Sequence, residues 1–204
     1  MMYLKRKDAK RLLVEFQQSS IEELKEKSTF IYKLLEQDDW SFTIKAHAYL
    51  ESAVTQMIID HIGETHLKPF IERLPLSDSM VGKLAIVKQL ALLKPKERAF
   101  VRWFSEFRNL IVHRIENINF DMKAYFAELD KNKRKSTYEI ISWNTKTNEE
   151  KSQSFELLNL APKVSISMSL VSVISSCVLS SKQSVGQRET QLLAEKTMTE
   201  LFKE

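Results

Sequence analysis

The sequence predicts an all-α fold, a helical bundle formed by a single domain of 204 residues. The chain contains three Gly and four Pro, and so few turn-forming residues argue against a β-sandwich or a β-barrel. Up to about residue 130, apolar residues recur at spacings of three and four, as in helices that bury one face. We expect the core to comprise residues 38–130 and 162–204, with residues 131–161 forming an insertion or an arm.

Two helices are predicted before residue 64. Ser20 followed by Glu23 matches a capping box, which predicts a helix that begins there and continues through Leu35. Asp39 is a candidate N-cap for a second helix with a long apolar stripe. Gly63 is well placed to end that helix, because glycine readily adopts the left-handed conformation found after many helices.

Shorter helices are expected between residues 64 and 130. One segment covers residues 67–74, and either Ser77 or Ser79 is expected to begin the next helix. Pro95 suits the first turn of an aromatic-rich helix, since its missing N–H group costs nothing there. A further helix is predicted over residues 122–129.

The composition changes after residue 130. The segments 138–143 and 154–160 are rich in strand-forming residues, so we expect a small β-hairpin or a mobile insertion near residues 136–160. Residues 164–181 carry no charge but include eight serines. We therefore expect a helix in a soluble core rather than a membrane span. A short strand remains an alternative for the first half of this segment. An amphipathic helix is predicted at 187–204.

Charge and composition exclude few functions. The net charge of +4 and the pI of about 9.0 are compatible with a nucleic-acid partner, because phosphates attract basic proteins. The single cysteine, Cys177, rules out an internal disulfide and fits a reducing compartment. The sequence has no zinc-ligand spacing and no Gly-rich phosphate loop, so we expect no metal and no cofactor. Without a signal-peptide pattern, we expect a cytoplasmic protein with no membrane contact.

The best-marked functional segment is Arg108-Asn109-Leu110-Ile111-Val112-His113. These residue types suit RNA cleavage without a metal, in which the ribose 2′-hydroxyl attacks its own phosphodiester. Histidine is the usual general base near neutral pH. Arginine offers a bidentate cation for the charge that develops on the phosphoryl oxygens. Asn109 can donate to phosphate or hold the arginine in place.

The spacing within this segment sets a geometric condition. Five residues turn a regular α-helix through about 500°, so Arg108 and His113 would point about 140° apart. Either the helix ends or kinks near Asn109, or the two residues meet partners from another chain. The second alternative predicts a homodimer in which two copies of the segment face each other across a two-fold axis.

The segment resembles the motif of HEPN domains, which is an arginine, four to six residues and a histidine, with Asn, Asp or His often following the arginine. Arg108, Asn109 and His113 fit this pattern. Over about residues 40–130, the order of parts is also similar to the mannitol-repressor branch of these helical proteins. There, segments like 46–51 and 83–86 precede a segment of the Arg-Asn-x-x-x-His type.

This resemblance implies a dimeric helical bundle in which two Arg/His segments form a composite cleft. Active members are metal-independent endoribonucleases, often toxins or phage-defence effectors, which implies RNA as a substrate and an antitoxin protein as a partner. Other members act in regulation, so a non-catalytic, mannitol-repressor-like dimerisation protein is the alternative. Some toxins carry a tyrosine two residues after the histidine for neutralisation by nucleotide transfer. Here that position is Ile115, which puts this neutralisation in doubt.

Further candidates lie outside the segment, and each has a plainer interpretation. Glu51 could orient Arg108 across the bundle or could simply face solvent. His47, one turn earlier, is expected to be a partly buried structural residue. Arg108 and His113 could themselves serve in a salt bridge and a helix cap. A basic run could follow an RNA backbone or remain solvated, and it consists of Lys131, Lys133, Arg134 and Lys135.

Overall fold

The computed structural model describes residues 6–78, 80–113 and 119–201, and over these residues the fold is all-α, as predicted. Two 3-10 helices, Leu34–Glu36 and Thr65–Leu67, lie on either side of the second helix. Ser79, Ile115 and residues 202–204 of the predicted C-terminal helix lie outside the described residues. The described α-helices are α1 Arg6–Lys33, α2 Asp39–Ile62, α3 Lys68–Arg73, α4 Lys83–Gln89, α5 Pro95–Val112, α6 Met122–Glu128, α7 Lys131–Ile141, α8 Asn148–Leu160 and α9 Pro162–Leu201.

The centre of the bundle is the contact between α2 and α9, which run side by side in the same direction. Asp39 at the start of α2 forms an ion pair with Lys163 of α9 at 2.8 Å. At the other end, Arg188 donates hydrogen bonds to carbonyl groups in the last turn of α2. α1 returns antiparallel along α9, where Glu23 pairs with Lys182 at 3.1 Å. The fully buried apolar side chains of the central pair include Phe42, Leu50, Val54, Met57, Ile166, Leu170 and Val173.

The β-hairpin predicted near residues 136–160 is wrong, because this segment forms α7 and α8. Asp130 caps α7 by accepting bonds from two first-turn amides at 3.0 and 2.9 Å. Thr147 caps α8 through a reciprocal capping box with Glu150, with both bonds at 3.1 Å. The strand-forming residues instead bury Ile141 and Leu158 on helical faces. Helix caps and tertiary burial thus override a modest β propensity.

Several helix boundaries also differ from the prediction. α1 continues through Ser20, whose hydroxyl donates to the carbonyl one turn earlier at 2.6 Å and begins no new helix. Asp38, rather than Asp39, caps α2 by accepting a bond from a first-turn amide at 2.8 Å. α4 begins only at Lys83, well after Ser77.

Two predicted boundaries are confirmed. Gly63 ends α2 in the left-handed conformation, with a φ of 77°. Pro95 occupies the first turn of α5.

α9 is one helix of 40 residues, although the sequence suggested two segments and left a short strand open. Several of its serines satisfy their hydroxyl groups within the bundle: Ser167 donates to the Lys163 carbonyl at 2.8 Å, and Ser176 donates to the Glu97 carboxylate at 2.7 Å. By length and hydropathy, Pro162–Thr199 is apolar enough to cross a membrane, and half of its most apolar stretch is buried inside the protein. A core helix of a soluble protein meets the same criterion.

Candidate functional site

The first turn of α5 is bound firmly to the rest of the bundle. The carboxylate of Glu97 accepts the backbone N–H of Lys94 at 2.6 Å with one oxygen. Its other oxygen accepts the Ser176 hydroxyl of α9 at 2.7 Å. Glu97 is buried, so these bonds offset the cost of removing its polar atoms from water. The start of the helix that carries the candidate segment is therefore held in a fixed position.

An aromatic cluster holds the last turns of α5. The ring of Phe107 lies 5.8 Å from Phe120, 5.4 Å from Tyr125 and 5.9 Å from Phe126. It also stacks on Trp103 at 5.3 Å. Rings at these separations contribute beyond simple burial, so the residue immediately before Arg108 is held in place by α6.

Arg108 is half-buried in the last turns of α5 and is held by its neighbour. Its Nη1 donates to the Asn109 side-chain oxygen at 3.0 Å. Its Nε is buried and has no hydrogen-bond partner among the described residues. A guanidinium has five N–H donors, so the Nη groups of Arg108 keep donors for an anion, whereas its buried Nε is closed to solvent. Of the two roles considered for Asn109, holding the arginine is the one the geometry displays.

α5 continues as an α-helix past Asn109, so the helix end of the first geometric alternative does not separate Arg108 from His113. The helix continues to Val112, and His113 is its C-cap, with its N–H donating to the Asn109 carbonyl at 3.2 Å. The His113 side chain is exposed. Because the helix is regular between the two residues, Arg108 and His113 project about 140° apart.

Behind Arg108, a buried histidine joins α2 to α5. His47 Nε2 lies 3.1 Å from the Ser105 hydroxyl. That hydroxyl gives its single proton to the Val101 carbonyl at 2.9 Å, so His47 Nε2 must carry the proton in the bond to Ser105. Burial lowers the pKa of His47, and the positive charge of Arg108 lowers that pKa further. His47 is buried, as the sequence suggested, but it lies within electrostatic reach of the candidate arginine.

Glu51 pairs with a residue that the sequence did not single out. Its carboxylate accepts a hydrogen bond from Lys83 Nζ at 2.7 Å, and Lys83 Nζ also donates to the Glu72 carbonyl at 3.2 Å. Lys83 is 2% exposed. The orienting role considered for Glu51 is therefore corrected: among the described residues, its ion pair is with Lys83 and not with Arg108. A buried lysine without this partner would be costly.

The basic run lies at the start of α7. Lys131, Lys133 and Lys135 are exposed. Arg134 is half-buried, and its Nη2 donates to the carbonyls of Ala127 at 2.5 Å and Leu129 at 3.2 Å. Since both carbonyls belong to the end of α6, Arg134 is a capping residue rather than a free cation.

Sequence reasoning missed Lys83 and Ser105. Lys83 follows a glycine and precedes an apolar run, and nothing in that pattern distinguishes a buried lysine from a solvated one. Ser105 lies one turn before Arg108 on the same helix, and this spacing is the signal that could have drawn attention to it.

Comparison of the chain with protein-family models, curated proteins and solved structures gave no match. Within the described ranges, no three His, Cys, Asp or Glu side chains are grouped so as to hold a metal ion. The class of protein is therefore described from the structure alone. The protein is an all-helical bundle with an Arg-Asn pair and an exposed histidine at the end of a central helix.

Proposed function

We propose that this protein is a HEPN-like endoribonuclease that cleaves RNA without a metal. The observation that carries the proposal is the end of α5, where Asn109 holds the half-buried Arg108 and the exposed His113 follows at the C-cap. A fixed cation and a solvent-accessible imidazole are the two groups that phosphodiester transfer to a neighbouring hydroxyl requires, once a cleft brings them together.

In the proposed reaction, His113 accepts the proton of a ribose 2′-hydroxyl. The 2′-oxygen forms a bond to the adjacent phosphorus, and the bond from phosphorus to the 5′-oxygen of the next nucleotide breaks. The leaving 5′-oxygen takes up a proton from water and the protonated His113 returns its proton to solvent, so the products are a 2′,3′-cyclic phosphate and a 5′-hydroxyl. Arg108 stabilises the charge on the phosphoryl oxygens, and Asn109 limits the rotation of its guanidinium.

Because Arg108 and His113 diverge on one helix, the proposal includes a homodimer with a composite cleft. Arg108 of one protomer then acts with His113 of its partner on the same phosphodiester. A cytoplasmic toxin or defence effector of this kind would need an antitoxin protein to restrain it.

The test is an assay of the purified protein on mixed single-stranded RNA with EDTA present. We expect cleavage that leaves cyclic phosphate ends and that spares DNA, which lacks the 2′-hydroxyl. His113→Ala should lower the rate about a hundredfold or more, the scale for losing a general base. Arg108→Ala should be comparably severe.

Matched controls are available in the chain. Arg102→Ala removes an exposed arginine from the same helix, and His66→Ala removes an exposed histidine elsewhere. Both should cleave RNA as the wild type does. If cleavage survives in both the Arg108 and His113 variants, the site is wrong. If the wild type leaves RNA intact, the non-catalytic, mannitol-repressor-like regulator becomes the better proposal.

A further inference from the structure

The lysines of the basic run lie on different faces of α7. Lys131 and Lys135 are four residues apart and lie on one face with Tyr138. Lys133 is turned about 160° away from Lys131, and it pairs with Asp130 at 3.8 Å. Two of the three lysines thus share a face with an aromatic side chain.

That face borders a cavity of about 470 Å³ between the end of α6, α7 and α8. The volume falls in the range of roughly 300–1,000 Å³ that is usual for small-molecule sites. On one side, the rings of Tyr138 and Phe155 meet edge to face at 5.1 Å. The lining consists of Leu129, Lys131, Arg134, Lys135, Tyr138, Glu139 and Phe155.

We propose that this cavity is a subsite for single-stranded RNA, with one nucleobase against Tyr138 and Phe155 and the flanking phosphates at Lys131 and Lys135. Aromatic rings bordered by cations are the usual device for holding unpaired bases, because every base has a face that can stack. The inference rests on the proposed function, since it takes the substrate to be RNA.

The walls of the cavity are fixed before any ligand enters. Arg134 holds the α6 carbonyls with Nη2, while its Nε is buried without a partner in the described part of the chain. The Tyr138 hydroxyl donates to the Lys151 carbonyl of α8, which orients its ring. A preorganised surface loses less entropy on binding.

The cavity is also connected to the candidate site. Leu129, which lines it, directly follows α6, and the α6 rings of Tyr125 and Phe126 contact Phe107 next to Arg108. α7 itself packs against α5. These contacts join the walls of the cavity to the last turns of α5, on which the Arg-Asn pair lies.

The experiment measures the affinity of the His113→Ala protein for a short fluorescein-labelled oligoadenylate by anisotropy, so that cleavage does not interfere. Phe155→Leu should weaken binding about tenfold, the scale for losing one base stack. Lys131→Ala and Lys135→Ala should each weaken it several-fold and reduce the salt dependence by about one counterion. Lys133→Ala should weaken the binding of oligoadenylate less than Lys135→Ala does. Lys25→Ala, which removes an exposed lysine of α1, is the control and should bind as the parent does.

A matched oligomer with abasic riboses separates stacking from charge. It should bind more weakly than oligoadenylate, and Phe155→Leu should not weaken it further. Phe155 and both lysines are exposed, so these variants should keep their helical circular dichroism.

The outcomes separate the two proposals. RNA cleavage by the wild type, with binding unchanged in the Lys131, Lys135 and Phe155 variants, overturns the subsite and leaves the nuclease in place. Binding that depends on these residues in a protein that cleaves nothing supports the subsite and removes the nuclease. No measurable binding of oligoadenylate overturns the subsite in either case.

Discussion

His47 links the chemistry of one residue to the stability of the fold. Burial, the charge of Arg108 and, to a smaller extent, Lys83 lower its pKa, while Glu51 partly opposes them. The folded protein therefore prefers the neutral imidazole. Above the ordinary histidine pKa of about 6.5, the His47 imidazole is neutral in both the folded and the unfolded state. The contribution of the neutral His47 to the free energy of unfolding is then fully present. As the pH falls below that value, the unfolded chain binds the proton first and stability is lost.

We predict that urea unfolding at about pH 5 shows a larger loss of stability, relative to about pH 7.5, for the wild type than for His47→Gln. The glutamine variant lacks the titrating group, so its pH dependence should be flatter. His66→Gln, at an exposed position, should behave like the wild type. Equal pH dependence in all three proteins would contradict a depressed pKa at His47.

The sequence could anticipate single residues where the chemistry is local. Asn109 follows Arg108 directly, so a hydrogen bond between them was within reach of sequence reasoning, and the structure contains it. Glu51 and Lys83 lie 32 residues apart, and no local pattern pairs them. The bond between His47 and Ser105 spans 58 residues and likewise depends on how α2 crosses α5.

At the scale of the element, α9 contains the lone thiol of the chain. Burial raises the pKa of Cys177 to about 12, and the nearby Glu97 charge adds to this effect. A thiol, rather than a thiolate, reacts slowly with alkylating reagents. We predict that iodoacetamide at about pH 8 labels the folded protein far more slowly than the urea-unfolded chain, as followed by mass spectrometry. Rapid labelling with the helical circular dichroism intact would show that α9 opens locally.

Helices were predictable where the apolar period was long, and they were missed where short polar segments decided the outcome. The stripe of α2 and the cap at Gly63 were visible in the sequence. The segment 138–143 contains residues that favour strands. The groups that instead make the chain helical are the N-caps Asp130 and Thr147, which lie on either side of this segment. Propensity alone cannot weigh a cap against a few β-branched residues, because the difference is on the order of 1 kcal/mol.

At the scale of the whole molecule, the diverging directions of Arg108 and His113 bear on assembly. We predict that light scattering at micromolar concentration gives a mass near twice that of the 23.8 kDa chain, because the composite cleft needs two copies. Mixing the Arg108→Ala and His113→Ala proteins should restore part of the activity, since a mixed dimer contains one intact pairing. A clean monomer that still cleaves RNA would rule out the shared cleft.

The position of α9 in the sequence has a consequence for how the chain is made. α9 contacts α1, α2, α5, α6, α7 and α8, yet it is translated after all of them. Until its residues leave the ribosome, the part of α2 that packs against α9 has no permanent cover, because synthesis is slow compared with helix formation. The bundle must close late, around a helix that is synthesised after its partners. A chain terminated before Pro162 would leave the ribosome with its core open to chaperones and proteases.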